Sequence, residues 1–284
     1  MEEHTMAIDP NCTIGGKLFS IHDDAITIEL HPDVLAYRAK LKENIMDTKR
    51  WLDYAVSLSD YHWINRDAAN AISLAIALDP FVAEYHFFRG YCHQKLGLLQ
   101  EAAADFEMCW KLDGNHVHAA YYLGMTYFYM GEYERAYTAY KGLYRISPPV
   151  SEWAANANWA WLTCMKLGKA EEATEMLSVV TPETTPTVSV GTLGNTWDDA
   201  YYLMACQIYH GWVTPEEQLE KAKVKDDDGD TWRSLVFFVA LYYDAIGNSE
   251  KALEYYKLNM EISKNPESVS ANWVVKPRIA QLSK

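Results

Sequence analysis

Histidines are the residues of this chain whose spacing bears most directly on metal binding and proton transfer. His86 and His93 lie seven apart (93 − 86 = 7). On a helix that is two turns, so both rings share one face and suit a single metal ion or a proton relay. Core packing or a surface hydrogen bond is the plainer reading of the same pair. His116 and His118 are two apart, a spacing that sends two side chains to different helix faces. No His-Glu-x-x-His, Gly-x-Ser-x-Gly or glycine-rich phosphate loop occurs, so zinc proteolysis, a nucleophile elbow and a nucleotide cradle are not expected. The five cysteines, Cys12, Cys92, Cys109, Cys164 and Cys206, are scattered without a Cys-x-x-Cys pair. A zinc ribbon or thioredoxin-type motif is thereby excluded, and all but Cys12 read as small buried hydrophobes. The acidic run Lys225 to Asp230 suggests calcium. Taking Gly229 as the loop glycine, however, puts Val224 and Leu235 at the two outer ligand positions, where oxygen donors are required. No metal and no cofactor are expected.

Net charge narrows the partners. Lys and Arg number 25 against 39 Asp and Glu, giving 25 − 39 = −14. An acidic chain repels nucleic-acid phosphates and anionic lipid surfaces, so neither is an expected partner. No apolar run approaches the ~18 residues of a membrane span. The first thirty residues lack a basic stretch followed by an apolar one, and the cysteine count is odd. Together these point to a cytoplasmic protein with reduced thiols.

The elements that must position these residues show in an internal period. Ala68, Ala102 and Ala136 are 34 apart (102 − 68 and 136 − 102), and Pro80, Gly114 and Pro148 keep that step. Gly90 and Gly124 are again 34 apart (124 − 90), as are Gly97 and Gly131 (131 − 97). The physical reading is a pair of helices per unit. Small Gly124 and Ala136 let the two helices approach, while Leu123, Tyr127 and Tyr140 fill the space between them. Gly131 ends the first helix and Pro148 stops the second. Arg89 and His93 depart from this pattern, standing where an apolar residue and a tyrosine would be usual. Beyond Pro148 the units diverge. Trp159 to Gly168 followed by Glu171-Glu172-Ala173 makes a fourth, Asp198 to Gly211 a further helix, and Trp232 to Tyr256 the last clear unit. Thr214, Pro215 and Glu217 spell a capping box that opens another helix. Thr181 to Thr196, rich in Thr, Pro, Val and Gly, reads as a loop. Pro32 to Asn44 reads as a helix, and Leu18 to Leu30 as either a small hairpin or an extended arm.

These features resemble the tetratricopeptide repeat, most strongly over residues 83–148. The order of units is similar to that of stand-alone bacterial proteins of this kind with a divergent, Trp-rich fourth helix pair. The resemblance implies an all-α fold: a right-handed superhelical solenoid of about six antiparallel helix pairs. Residues 1–30 would be a non-repeat arm, 31–264 the solenoid and 265–284 a C-terminal capping helix.

The resemblance also implies that the first helix of each pair lines a concave groove. Counting along each unit brings Phe87, Tyr91, His118, Tyr121, Tyr122, Met125, Tyr129, Trp159, Tyr201 and Phe237 to that groove. Aromatic rings there offer broad contact at low rotamer cost. The Lys and Asn clamp that related domains use to hold a C-terminal carboxylate is missing, with Asp53, Ser57, Phe88, His118 and Tyr122 in its place. Two readings follow. In the first, the chain is an interaction module that holds a peptide or partner protein in the aromatic groove, a second copy of the chain included. In the second, the groove is a pocket for an aromatic or apolar small molecule. There Glu84 and His118, one repeat apart on the same face, would form an acid–base pair beside Tyr121 and Tyr122.

Overall fold

Helix boundaries follow the turn signals closely. The computed structural model describes residues 30–62, 64–146, 153–185, 188–190, 196–198, 200–225 and 230–284. Contacts divide the chain into two compact units, the first running to Ala119 and the second starting at Ala120. The expected arm over residues 1–29, Pro148 and the acidic residues 226–229 lie outside the described residues.

The first unit opens with α1 (Pro32–Glu43), which carries Pro32 in its first turn and Asp33 beside its positive N-terminal end. Two helix pairs follow: α2 (Thr48–His62) with α3 (Asn65–Leu78), and α4 (Ala83–Lys95) with α5 (Leu99–Leu112). Tyr54, Leu58, Ala68 and Ile72 are fully buried between the helices.

The helix α6 (Val117–Tyr129) begins in the first unit and runs into the second, where α7 (Tyr133–Ile146) follows it. Gly131 between them has φ +76°, backbone that a side chain would strain. The Glu132 N–H donates to Tyr127 O at 2.9 Å and that of Gly131 to Phe128 O at 3.0 Å, satisfying carbonyls left open by the helix end. Three further pairs complete this unit: α8 (Trp153–Lys166) with α9 (Ala170–Leu177), α10 (Ala200–Tyr209) with α11 (Pro215–Lys225), and α12 (Asp230–Ala245) with α13 (Ser249–Ile262). The expected capping box opens α11: the Glu217 N–H donates to Thr214 Oγ1 at 3.2 Å, and the Thr214 N–H to Glu217 Oε2 at 3.0 Å. A π-helical turn, Ala271–Val275, leads into α14 (Lys276–Leu282).

The protein is thus all-α in character, with six helix pairs among the described residues. One expectation needs correcting. The stretch 181–196 is not loop throughout: β1 (Val188–Val190) pairs antiparallel with β2 (Thr196–Asp198), Ser189 opposite Trp197. Valine, threonine and tryptophan favour extended backbone, and here that preference outweighs the turn tendency of the Pro and Gly in the same stretch.

The four described cysteines are fully buried free thiols. Burial pushes the Cys109 thiol up to about 12 and the Cys164 thiol up to about 11, which leaves them protonated and unreactive. No helix among the described residues is long and apolar enough to cross a membrane.

Candidate functional site

The aromatic residues of the second unit converge because one glycine lets two helices close up. A Cβ at Gly124 on α6 would lie 2.5 Å from Cζ of Tyr140 on α7, so the ring sits directly against the α6 backbone. On the same stretch of α6, Tyr121 and Tyr122 meet edge to face at 5.1 Å between ring centres. The Tyr121 hydroxyl reaches that of Tyr202 on α10 at 3.1 Å. Tyr202 packs on Phe238 of α12 at 5.2 Å, and Tyr201 lies nearly parallel to Phe238 at 6.0 Å. Phe238 in turn meets Trp159 of α8 at 5.4 Å, and Trp159 stands edge-on to Tyr129 at 5.6 Å. Helices α6, α8, α10 and α12 therefore contribute to one continuous aromatic cluster, in the edge-to-face and offset geometries that ring quadrupoles favour.

Within the cluster the rings divide into floor and surface. Trp159, Phe238, Met125 and Phe237 are buried, at 1, 3, 7 and 8% exposure. Tyr121, Tyr122, Tyr129, Tyr201 and Tyr202 are half-buried. Met125, Trp159 and Phe237, expected to line a groove, are thus part of the packed floor. Trp159 is enclosed because Phe128, Tyr129 and Phe238 all press on its ring. Burial raises the pKa of Tyr121, Tyr129 and Tyr140 well above the ordinary phenol value, so these hydroxyls remain protonated donors. Four polar side-chain atoms in this unit are buried with no hydrogen-bond partner among the described residues: the Tyr140 hydroxyl, Trp159 Nε1, Asn158 Nδ2 and His210 Nε2. Asn158 is held from its other end, where Oδ1 accepts from the Tyr209 hydroxyl at 2.8 Å. Tyr209 belongs to a separate stack, its ring 4.1 Å from Trp161 and 5.8 Å from Tyr242.

The first unit holds the remaining expected site residues. Tyr91 is half-buried, with the Lys95 ammonium 5.1 Å above its ring. Phe87 is half-buried against His116 at 4.8 Å and His118 at 6.1 Å. Glu84 meets His116, where His118 was the expected partner: Nε2 of His116 is 3.3 Å from Glu84 Oε2. The reason is local. His116 stands just before α6, and its Nδ1 accepts from the Ala119 N–H at 3.0 Å, capping the helix. That bond places the proton of the neutral ring on Nε2, which then donates to Glu84. His118 is exposed.

His86 and His93 are neither a surface feature nor, among the described residues, part of a group of three or more His, Cys, Asp or Glu placed to hold a metal ion. They flank Asp105 of α5. Nδ1 of His93 is 2.9 Å from Asp105 Oδ2, and Nδ1 of His86 lies 3.9 Å from Oδ1. Arg89 grips the same carboxylate, with Nη2 2.6 Å from Oδ1 and Nε 3.0 Å from Oδ2. Burial alone would raise the Asp105 pKa, but hydrogen bonds from His93 and Arg89 outweigh it and hold the carboxyl below its usual range. Sequence reasoning missed Asp105. The signal was there: Arg89 and His93 break the repeat pattern together, and the position one period after Asp105 (139 − 105 = 34) is Ala139.

The family described as tetratricopeptide repeat matches residues 117–149. A solved tetratricopeptide repeat protein from Parabacteroides merdae is 12% identical, the match spanning 88% of this chain and 91% of that one at a TM-score of 0.57. MamA is 23% identical over 51% of this chain and 83% of its own, with a TM-score of 0.47. YrrB, described as a TPR protein with an unusual peptide-binding site, is 19% identical over 73% of this chain and 99% of its own, with a TM-score of 0.39. The Parabacteroides likeness shows the fold. No curated protein matches the sequence.

Proposed function

The chain is a tetratricopeptide repeat protein, and from that premise we propose that it is an interaction module which holds a peptide, or a segment of a partner protein, against the aromatic face of its second unit. The observation that carries this reading is the row of half-buried tyrosines: Tyr121, Tyr122 and Tyr129 on α6, Tyr201 and Tyr202 on α10. Each presents a large rigid surface that loses little rotamer freedom on binding, together with a hydroxyl for one hydrogen bond. The buried rings of Trp159 and Phe238 support them from below, so the surface is organised before a partner arrives. Stacked helical repeats commonly serve as extended binding surfaces, which supports the reading by analogy of fold. A net charge of −14 favours a partner with a basic rim. The acid–base alternative has less support, because Glu84 is engaged by His116, which also caps α6.

The test is to pan a random peptide library displayed on phage against the full chain, then to measure selected peptides on Tyr121→Ala/Tyr201→Ala. Loss of two anchor rings should weaken binding by well over tenfold, the scale of interface hot spots. Selected peptides that bind this variant as tightly as the unaltered chain would remove the reading.

A further inference from the structure

Tyr140 carries a hydroxyl that its structural position does not need. One period earlier (140 − 106 = 34) stands Phe106. Phe106 packs on Gly90 as Tyr140 packs on Gly124, the virtual Cβ atoms lying 2.9 and 2.5 Å from the respective rings. Both residues are fully buried. The fold is therefore served by the bare ring, and a buried hydroxyl without a partner costs stability. In the same unit, the Trp159 indole N–H is in the same condition, buried and without an acceptor among the described residues.

The surroundings of these two donors define what would satisfy them. Tyr202, Tyr129 and Tyr144 are the groups that act electrostatically on Tyr140, and Tyr129 also meets the Trp159 ring. Tyr121 adds a further neutral hydroxyl through its contact with Tyr202. Among the described residues, the groups that act most strongly on Tyr121, Tyr129 and Tyr140 are other tyrosines. An indole N–H can only donate, so its complement is an acceptor. A carboxylate brought here would be desolvated among neutral tyrosine hydroxyls, which is unfavourable. A neutral carbonyl oxygen meets both conditions.

We infer that the aromatic cluster reads its peptide through neutral acceptors: amide carbonyls, from the main chain or from Asn or Gln side chains, taken by the Tyr140 hydroxyl and by the Trp159 Nε1–H. This rests on the peptide-binding reading above and names the chemistry that reading selects. The half-buried Tyr121, Tyr129 and Tyr202 shift to admit the carbonyls, exchanging the Tyr121–Tyr202 hydroxyl contact for contacts with the ligand.

The experiment uses a library-selected peptide that loses binding on Tyr121→Ala/Tyr201→Ala, with Tyr140→Phe and Trp159→Phe in the full chain. Phe at 140 reproduces what the preceding repeat already tolerates. The inference requires opposite signs from Tyr140→Phe: a higher Tm without ligand, by about 2–4 °C, and affinity lower by about tenfold. Trp159→Phe should weaken the same peptide by a similar factor. A fall in the ligand-free Tm of Tyr140→Phe means the hydroxyl is already satisfied inside the fold and overturns the inference. Unchanged affinity in both variants overturns it too, while leaving peptide binding intact. A library that yields no such peptide removes the peptide-binding reading and the inference with it.

Discussion

Successive repeats solve one packing problem in two ways. In the pair α4/α5, Arg89 and His93 close on Asp105. One period later Leu123, Tyr127 and Ala139 occupy the corresponding positions of α6/α7 (123 − 89, 127 − 93 and 139 − 105 are each 34). Both pairs keep the glycine that admits a ring from the second helix, Gly90 for Phe106 and Gly124 for Tyr140. The repeat therefore demands close helix approach, and is indifferent to whether the flanking contact is ionic or apolar. The two solutions differ in what they leave free. In the first, Arg89 and His93 are spent on Asp105, while His86 Nδ1 lies buried 3.9 Å from it without a hydrogen bond among the described residues. In the second, an apolar frame leaves buried hydroxyl and indole donors unspent, beside the tyrosine face proposed to bind a peptide. A second ionic knot, Asp244 with Lys166 at 2.6 Å and with Arg278, lies in the second unit on α8, α12 and α14.

The comparison breaks most sharply at Asp105. Asp105→Ala leaves Arg89 and His93 buried or half-buried without their carboxylate, and should cost about 3–5 kcal/mol in urea denaturation. A loss under about 1 kcal/mol would mean the ionic solution is decorative. On the apolar side, Gly124→Leu drives a side chain into the immobile Tyr140 ring and should cost about 3 kcal/mol, read by the same melts. The smallest effect sharpens the contrast. Arg89→Leu/His93→Tyr/Asp105→Ala copies the next repeat into α4/α5, and should leave stability at pH 7 within about 2 kcal/mol of the unaltered chain, on either side. Its acid response should differ. Asp105 is held below its unfolded value, so its contribution is complete above about pH 4 and is lost as the pH falls through the lower folded value. The triple variant should lose less stability than the unaltered chain below pH 4, while retaining the dependence on other depressed carboxyls such as buried Asp244, whose burial is outweighed by hydrogen bonds from Arg278 and Lys166.

What could be read in advance was local. The turn at Gly131 needs positive φ, and the Thr214–Glu217 box needs two side chains three residues apart, so each was legible as spacing. Gly124 announced a close approach because a small residue recurred at a fixed period. The short ladder between Val188 and Asp198 was not legible, since three-residue strands carry too little pattern. Glu84 was read with His118 instead of His116, because counting along a helix ignores the capping residue just outside it.

The sequence by itself determined the helix pairs, their turns and the glycines that set their separation, because each depends on backbone preference within one period. Only the tertiary structure decided which side chains meet. Arg89 finds Asp105 across two helices, Tyr121 finds Tyr202 across 81 residues, and Trp159 becomes floor while Tyr129 beside it stays half-open. Those outcomes depend on the distance and rotation between helices far apart in the chain, which no single period encodes.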